Sequence, residues 1–277
     1  MSTFDKEFWT FSFHEMGTRD LPAIIDYILK LNKDFQKIIY IGHSQGTCML
    51  FAAITLMNEY FKNKIKLFIA LAPVAKLTNM KSNFLKFLSK LNFQKLFKSA
   101  EQFEIFPDTK ISNDINRWIT NKIPSLANFA LEMISDDNIN SLNNNKKRMK
   151  VYLTHYPSGT SLQAMNHFIQ NFQNKNFAQY DYKITANMRI YGQPKPLEYD
   201  LSKIKEIPIA LFGGKEDKLA TEEDIDWLKL KIGENLVFSK IYEKMGHVSF
   251  LIGNDLNWVN DAILLIDAFS INDDLIK

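Results

Sequence analysis

The chain has 277 residues, 46% of them hydrophobic and 13% aromatic, which suits one α/β domain of ordinary size or a smaller core carrying an insertion. A formal net charge of +3 gives no reason to expect a nucleic-acid partner, and the single cysteine, Cys48, excludes an intrachain disulfide. The N-terminus has no basic segment followed by an apolar run, and no stretch of about 18 apolar residues is present, so neither a signal peptide nor a spanning helix is expected.

In chain order, the aromatic segment Phe8 to Phe13 reads as a short strand or a packed loop. Asp20-Leu21-Pro22-Ala23 reads as a helix start, with Asp20 at the cap, and apolar residues from Leu21 to Leu31 follow helical spacing. Lys37 to Gly42 is a short apolar run ending in glycine, as expected of a strand buried on both faces. Gly46 to Tyr60 is helical in character, and Ile65 to Leu71 is a second buried strand closed by Ala72-Pro73. Strand, helix and strand with short links form a βαβ unit and imply a parallel sheet. From Lys76 to Tyr191 the alternation stops, and only helical stretches rich in Phe, Leu, Asn and Lys are expected. It resumes with a strand at Ile207 to Phe212, a helix near Glu222 to Lys231, a strand near Leu236 to Tyr242 and a last helix from Trp258 to Phe269. The expected fold is therefore α/β: a mostly parallel sheet with helices on both faces. Residues 1–75 and 192–277 would form its core, and residues 76–191 a helical cap.

Gly42-His43-Ser44-Gln45-Gly46 is a G-x-S-x-G pentapeptide between an apolar strand and a helix. That is the position of a nucleophile elbow, where flanking glycines avoid collisions and the serine hydroxyl is lifted to the sheet's C-terminal edge. A serine hydroxyl is a weak nucleophile until a base takes its proton, and the base needs a carboxylate to orient it. In this arrangement the partners follow in the order Ser, acid, His. Asp217 lies just after a later strand, with Glu216 as its adjacent rival. His247 lies after the final strand and before the last helix, the place for the base. His43 sits inside the elbow and is read as pointing away from the Ser44 hydroxyl; His14, His155 and His167 fit the position worse. No H-E-x-x-H metal motif and no G-x-x-x-x-G-K phosphate loop is present, so no metal or other cofactor is expected. Met80 to Lys98 alternates lysines with Phe and Leu, and reads either as a cap helix on the core or as a basic amphipathic helix on a lipid surface.

Several of these segments together resemble the acid lipases of the gastric and lysosomal type. They are Phe8 to Met16, Asp20 to Ala23, Gly42 to Gly46, Ala70 to Ala75, Tyr152 to Ser161, Ala178 to Asp181, Asn187 to Gly192, Gly213 to Ala220 and Gly246-His247. The resemblance implies an α/β-hydrolase fold and an esterase of triacylglycerols or sterol esters, with Ser44 as nucleophile, Asp217 rather than Glu216 as acid, His247 as base and the Gln45 N–H as an oxyanion donor. The implied partner is a lipid ester, met through the cap at a lipid surface. Three departures accompany it. His14 stands where the family has an acidic residue, and Thr221-Glu222 replaces the usual Asp-Pro. The likeness also starts partway into the family sequence, so the His-Gly segment that supplies a second oxyanion donor is not seen and Ile38 to Ile41 is expected to lie at an exposed sheet edge. The chain as written points to the cytoplasm, whereas the resemblance points to a lysosomal or secreted protein with a longer N-terminus. The rival reading is a catalytically silent lipase-like protein that binds lipid or a partner.

Overall fold

A computed structural model of the chain describes residues 5–82 and 158–270 together with Thr3, Lys86, Ser89, Lys90, Glu104, Ile105 and Val151. Its centre is a four-stranded parallel sheet of β1 (Ile38–His43), β2 (Ile65–Leu71), β3 (Ile209–Gly214) and β4 (Leu236–Tyr242), in that spatial order. The two inner strands are apolar along almost their whole length because both of their faces are covered: every residue of β3, and all of β2 except Lys66, is buried. The outer strands are only partly covered: β1 lies at the edge, as expected, but with Ile41 49% exposed it is not buried on both faces as its apolar run suggested. Helix α1 (Leu21–Leu31) precedes β1, α2 (Gln45–Lys62) joins β1 to β2, α5 (Glu222–Ile232) joins β3 to β4, and α6 (Asn257–Ser270) closes the described chain. Between β2 and β3 lie α3 (Leu162–Asn174) and α4 (Ile184–Tyr191). Phe51 of α2 packs on Phe68 of β2 with ring centroids 4.9 Å apart, and both are fully buried. Phe212 of β3 carries the packing onward to Phe238 of β4, centroid to centroid 5.0 Å.

The N-terminal segment departs from its sequence reading. Lys6–Trp9 is a single tight helical turn rather than a strand, and the main helical stretch begins at Phe13, well before Asp20. Ser12 is the cap. Its hydroxyl accepts from the His14 N–H, while the Glu15 carboxylate accepts from the Ser12 N–H at 2.7 Å, a reciprocal capping box. Asp20 has helical dihedrals and makes no side-chain cap bond, because it lies within a wide turn, Met16–Asp20, that runs directly into α1. Gly17 lets that turn lie against α2: a Cβ there would sit 2.3 Å from the Met49 carbonyl oxygen.

The region expected to be wholly helical also contains a short antiparallel pair, Glu104–Ile105 with Thr160–Ser161. The pairing brings Ser161 to a place where its hydroxyl caps α3, accepting from Ala164 N–H, and donates to the Phe11 carbonyl. Most of the span assigned to the cap, including His155 and most of Met80 to Lys98, lies outside the described residues. The described part is tied to the core by a buried histidine. His167 of α3 stacks on Phe13 at 3.9 Å, with its Nδ1 2.9 Å from the Ser12 hydroxyl and its Nε2 2.8 Å from the Ala178 carbonyl. Burial pushes its pKa down to about 3, so the ring is neutral across the ordinary pH range.

Ser12 therefore holds both a helix start and a buried imidazole. Ser12→Ala is expected to destabilise the fold by about 1–3 kcal/mol, from a lost cap plus a buried ring nitrogen without its partner. Urea denaturation measures it, and an unchanged midpoint would contradict this packing.

Candidate active site

Three loops at the C-terminal edge of the sheet converge on one spot. Ser44 leaves β1 with φ 53° and ψ −115°, an unusual conformation for a residue with a side chain, and α2 starts at the next residue. The turn is held from three sides: the Ser44 N–H donates to the Leu71 carbonyl at 3.0 Å, Thr47 Oγ1 donates to the Ser44 carbonyl at 2.6 Å, and the Tyr40 hydroxyl donates to the Gly46 carbonyl at 2.9 Å. The two glycines of the pentapeptide are not equivalent. A Cβ on Gly42 would come within 2.8 Å of the Tyr40 ring and 3.0 Å of the Gly46 backbone, whereas a Cβ on Gly46 would meet only the Tyr40 hydroxyl, at 3.5 Å. The steric reason for glycine therefore holds at position 42 and not at position 46. Gln45 opens α2, so its backbone N–H has no carbonyl four residues back within the helix and belongs to the helix's positive end. Its side-chain amide lies 3.2 Å from the sulfur of Met16.

Asp217 follows β3 and is almost fully buried. Its Oδ1 accepts from the backbone N–H groups of Leu219 and Ala220, both at 2.8 Å, which fixes the carboxylate plane and leaves Oδ2 directed at the His247 ring. Glu216 points to solvent, and only its backbone N–H, bonded to the Met245 carbonyl, enters this region. The loop after β4 crowds the end of β3 closely enough that a Cβ on Gly214 would lie 2.4 Å from the Met245 carbonyl oxygen. That loop delivers His247, which is 4% exposed, with Nδ1 2.8 Å from Asp217 Oδ2 and Nε2 2.6 Å from Ser44 Oγ.

The partners determine where the protons are. An ionised carboxylate only accepts, so Nδ1 of His247 carries a hydrogen, and in the neutral ring Nε2 then presents its lone pair to the Ser44 O–H. In this arrangement His247 can take the Ser44 proton and share the resulting positive charge with Asp217. His43, read as pointing away, is engaged with the same loop: its Nε2 lies 2.7 Å from the His247 carbonyl, with the two rings 5.1 Å apart. Burial, and then the neighbouring His247, push the His43 pKa down to about 4. His14 is elsewhere, paired with the Tyr199 hydroxyl at 2.7 Å.

A cleft of about 440 Å³ opens beside Ser44 and Gln45, and Met16, Val74, Leu77, Met165, Phe168 and Leu219 line it. Met16, Val74 and Leu219 fall in segments that carry the resemblance, but none of the six was read as lining a site. Thr47 was also missed: its hydroxyl donates to the Ser44 carbonyl and accepts from the Val74 N–H, joining the elbow to the cleft wall. Among the described residues, no group of three or more His, Cys, Asp or Glu side chains is placed to hold a metal ion, and no helix is long and apolar enough to cross a membrane.

Comparisons with known proteins agree with this architecture. A family model described as alpha/beta hydrolase fold matches residues 4–253. The chain is 36% identical to human gastric triacylglycerol lipase over 265 residues, covering 92% of this chain and 62% of that protein. It is 33% identical to human lipase member K over 276 residues, covering 95% of this chain and 65% of that protein. It thus spans less than two thirds of the length of these curated relatives, and the identities bear out the acid-lipase resemblance read from the motifs. Among solved structures, an alpha/beta hydrolase fold protein from Nakamurella multipartita superposes with a TM-score of 0.51 at 11% identity, covering 91% of this chain and 74% of that one. At that identity the likeness concerns the fold alone.

The unequal packing around the two elbow glycines can be measured. Gly42→Ala is expected to lower the thermal midpoint by several degrees, as an overpacked site costing about 1–3 kcal/mol would. Gly46→Ala, inside a helix with room for a methyl, is expected to leave the midpoint unchanged or raise it. Equal losses in both variants would contradict the geometry.

Proposed function

Because the chain belongs to the alpha/beta hydrolase family, we propose that it is a serine ester hydrolase acting on carboxylic esters of lipids, such as triacylglycerols or sterol esters. The observation that carries the reading is the unbroken line of contacts from Ser44 Oγ through the His247 ring to Asp217, set beside an apolar cleft. In the proposed reaction Ser44 Oγ attacks the ester carbonyl carbon while His247 Nε2 takes its proton. The oxyanion that forms is met by the Gln45 backbone N–H, and Asp217 stabilises the imidazolium. As the tetrahedral species collapses, His247 returns the proton to the departing alcohol, leaving Ser44 acylated. Water then attacks the acyl-enzyme with His247 again as base, His247 returns that proton to Ser44 Oγ as the Oγ–acyl bond breaks, and the carboxylic acid leaves. The lining of Met16, Val74, Leu77, Met165, Phe168 and Leu219 suits a hydrocarbon chain, since it offers dispersion contacts and few hydrogen bonds. The substrates named for the relatives, triacylglycerols in the gastric lipases, support a lipid ester over a polar one. Residues 76–191 are proposed to form the cap beside this cleft, through which a lipid surface would be met.

The test is hydrolysis of p-nitrophenyl esters of increasing chain length. Ser44→Ala is expected to abolish turnover, and Asp217→Asn to lower kcat by about 10⁴ with KM little changed, because an amide reverses the favoured His247 tautomer. Binding of the esters by wild type and Ser44→Ala alike, with no turnover in either, would replace this reading with that of a lipid-binding, catalytically silent relative.

A further inference from the structure

The base has most of the sheet's width to cross. Ser44 follows β1 and Asp217 follows β3, but His247 follows β4, at the opposite edge of the sheet from β1. Its loop must cross the ends of the inner strands to deliver one ring nitrogen to the nucleophile. It contains Lys244 with φ 56°, and it is pinned near β3 by the Glu216 N–H to Met245 carbonyl bond at 2.9 Å. At the far end the loop meets the β1 turn: the Ser44 hydroxyl bonds to the His247 side chain, and the His43 ring bonds to the His247 backbone. The first of these breaks whenever Ser44 is acylated. The second is independent of the reacting atoms.

We propose that His43 is a positioning residue: by donating its Nε2–H to the His247 carbonyl, it ties the loop of the base to the strand of the nucleophile. This rests on the hydrolase reading above and adds to it the residue that holds base and nucleophile in register through the acyl-enzyme stage. The donor direction follows from chemistry, because a carbonyl can only accept, so the neutral His43 ring must carry its hydrogen on Nε2. Burial keeps the ring neutral, so it adds no positive charge beside the imidazolium that forms on His247. Histidine at this position does more than cap a strand: its ring reaches a backbone atom 204 residues away.

Two substitutions separate the hydrogen bond from the ring. His43→Phe keeps a flat ring and removes the donor, while His43→Gln places an amide N–H at about the reach of Nε2. The first readout needs no turnover. In protein with ¹⁵N-labelled histidine, His43 is expected to give the Nε2-protonated neutral pattern; His43→Phe shifts or broadens the His247 ring signals, and His43→Gln restores them. The second readout is kinetic. His43→Phe is expected to lower kcat and the rate of Ser44 phosphonylation about ten- to a hundredfold, the range for a lost buried hydrogen bond or an ångström of misplacement, with KM within about twofold. His43→Gln recovers most of the loss. Unchanged His247 signals in folded His43→Phe, or a His43→Gln variant as impaired as His43→Phe, overturn the inference. A wild-type chain with the expected ring signals but no Ser44-dependent reaction overturns the hydrolase reading instead.

Discussion

The backbone at Ser44 is the constraint on which the rest of the site depends. A parallel strand that passes straight into a helix must reverse its direction within one residue, and at Ser44 that residue carries a side chain at φ 53°. A conformation of this kind costs on the order of 1–3 kcal/mol and persists only where its surroundings over-determine it. Here they do. β2 receives the Ser44 N–H, Thr47 and Tyr40 fasten the carbonyls on either side of the turn, and the buried face of α2 locks the helix onto Phe68. Ala72, where β2 ends, has φ 46° and is held the same way, by its N–H on the Phe212 carbonyl of β3. Ser44 and Ala72 thus place irregular backbone at the C-terminal edge of the sheet, where the buried inner strands hold it.

The hydrogen-bonding capacity of the side chains then orders the site. Asp217 has one oxygen filled by two backbone N–H groups and one left for His247, so the carboxylate has little freedom to rotate. His247 has a donor side and an acceptor side, and its two partners dictate which is which. His43 repeats the logic one residue before the nucleophile, with a carbonyl as its partner. Each ring is held by a group that can play a single role, and burial strengthens these bonds by keeping water from competing for them.

Much of this was legible in the chain itself. The strand Leu236–Tyr242 and the helix Asn257–Ser270 lie where apolar periodicity puts them, because both are short, regular elements flanked by polar breaks. Ser44 and His247 were proposed from their order along the chain and the elements beside them, which is information a sequence carries, whereas the choice of Asp217 over Glu216 rested on the acid-lipase resemblance. Asp20-Leu21-Pro22 is a strong local signal and α1 does begin at Leu21, but the helical stretch that leads into it, opened by the capping box Ser12-Phe-His-Glu15, went unread. The short strand pair at Thr160–Ser161 left no such signal, since two residues show no periodicity. His43 and Thr47 were missed for a different reason. Their roles depend on which loop and which wall lie next to the elbow, and only the three-dimensional crossing of the β4 loop brings His247 beside β1.

The measurement that bears most directly on the account is the mass of the Ser44 peptide after brief exposure of the purified chain to a fluorophosphonate. The account predicts a single phosphonyl adduct on Ser44, formed faster than on any other serine and absent from protein unfolded beforehand in urea. A folded chain in which Ser44 remains unmodified would contradict it, because a hydroxyl bonded to a carboxylate-backed imidazole would then not be a nucleophile.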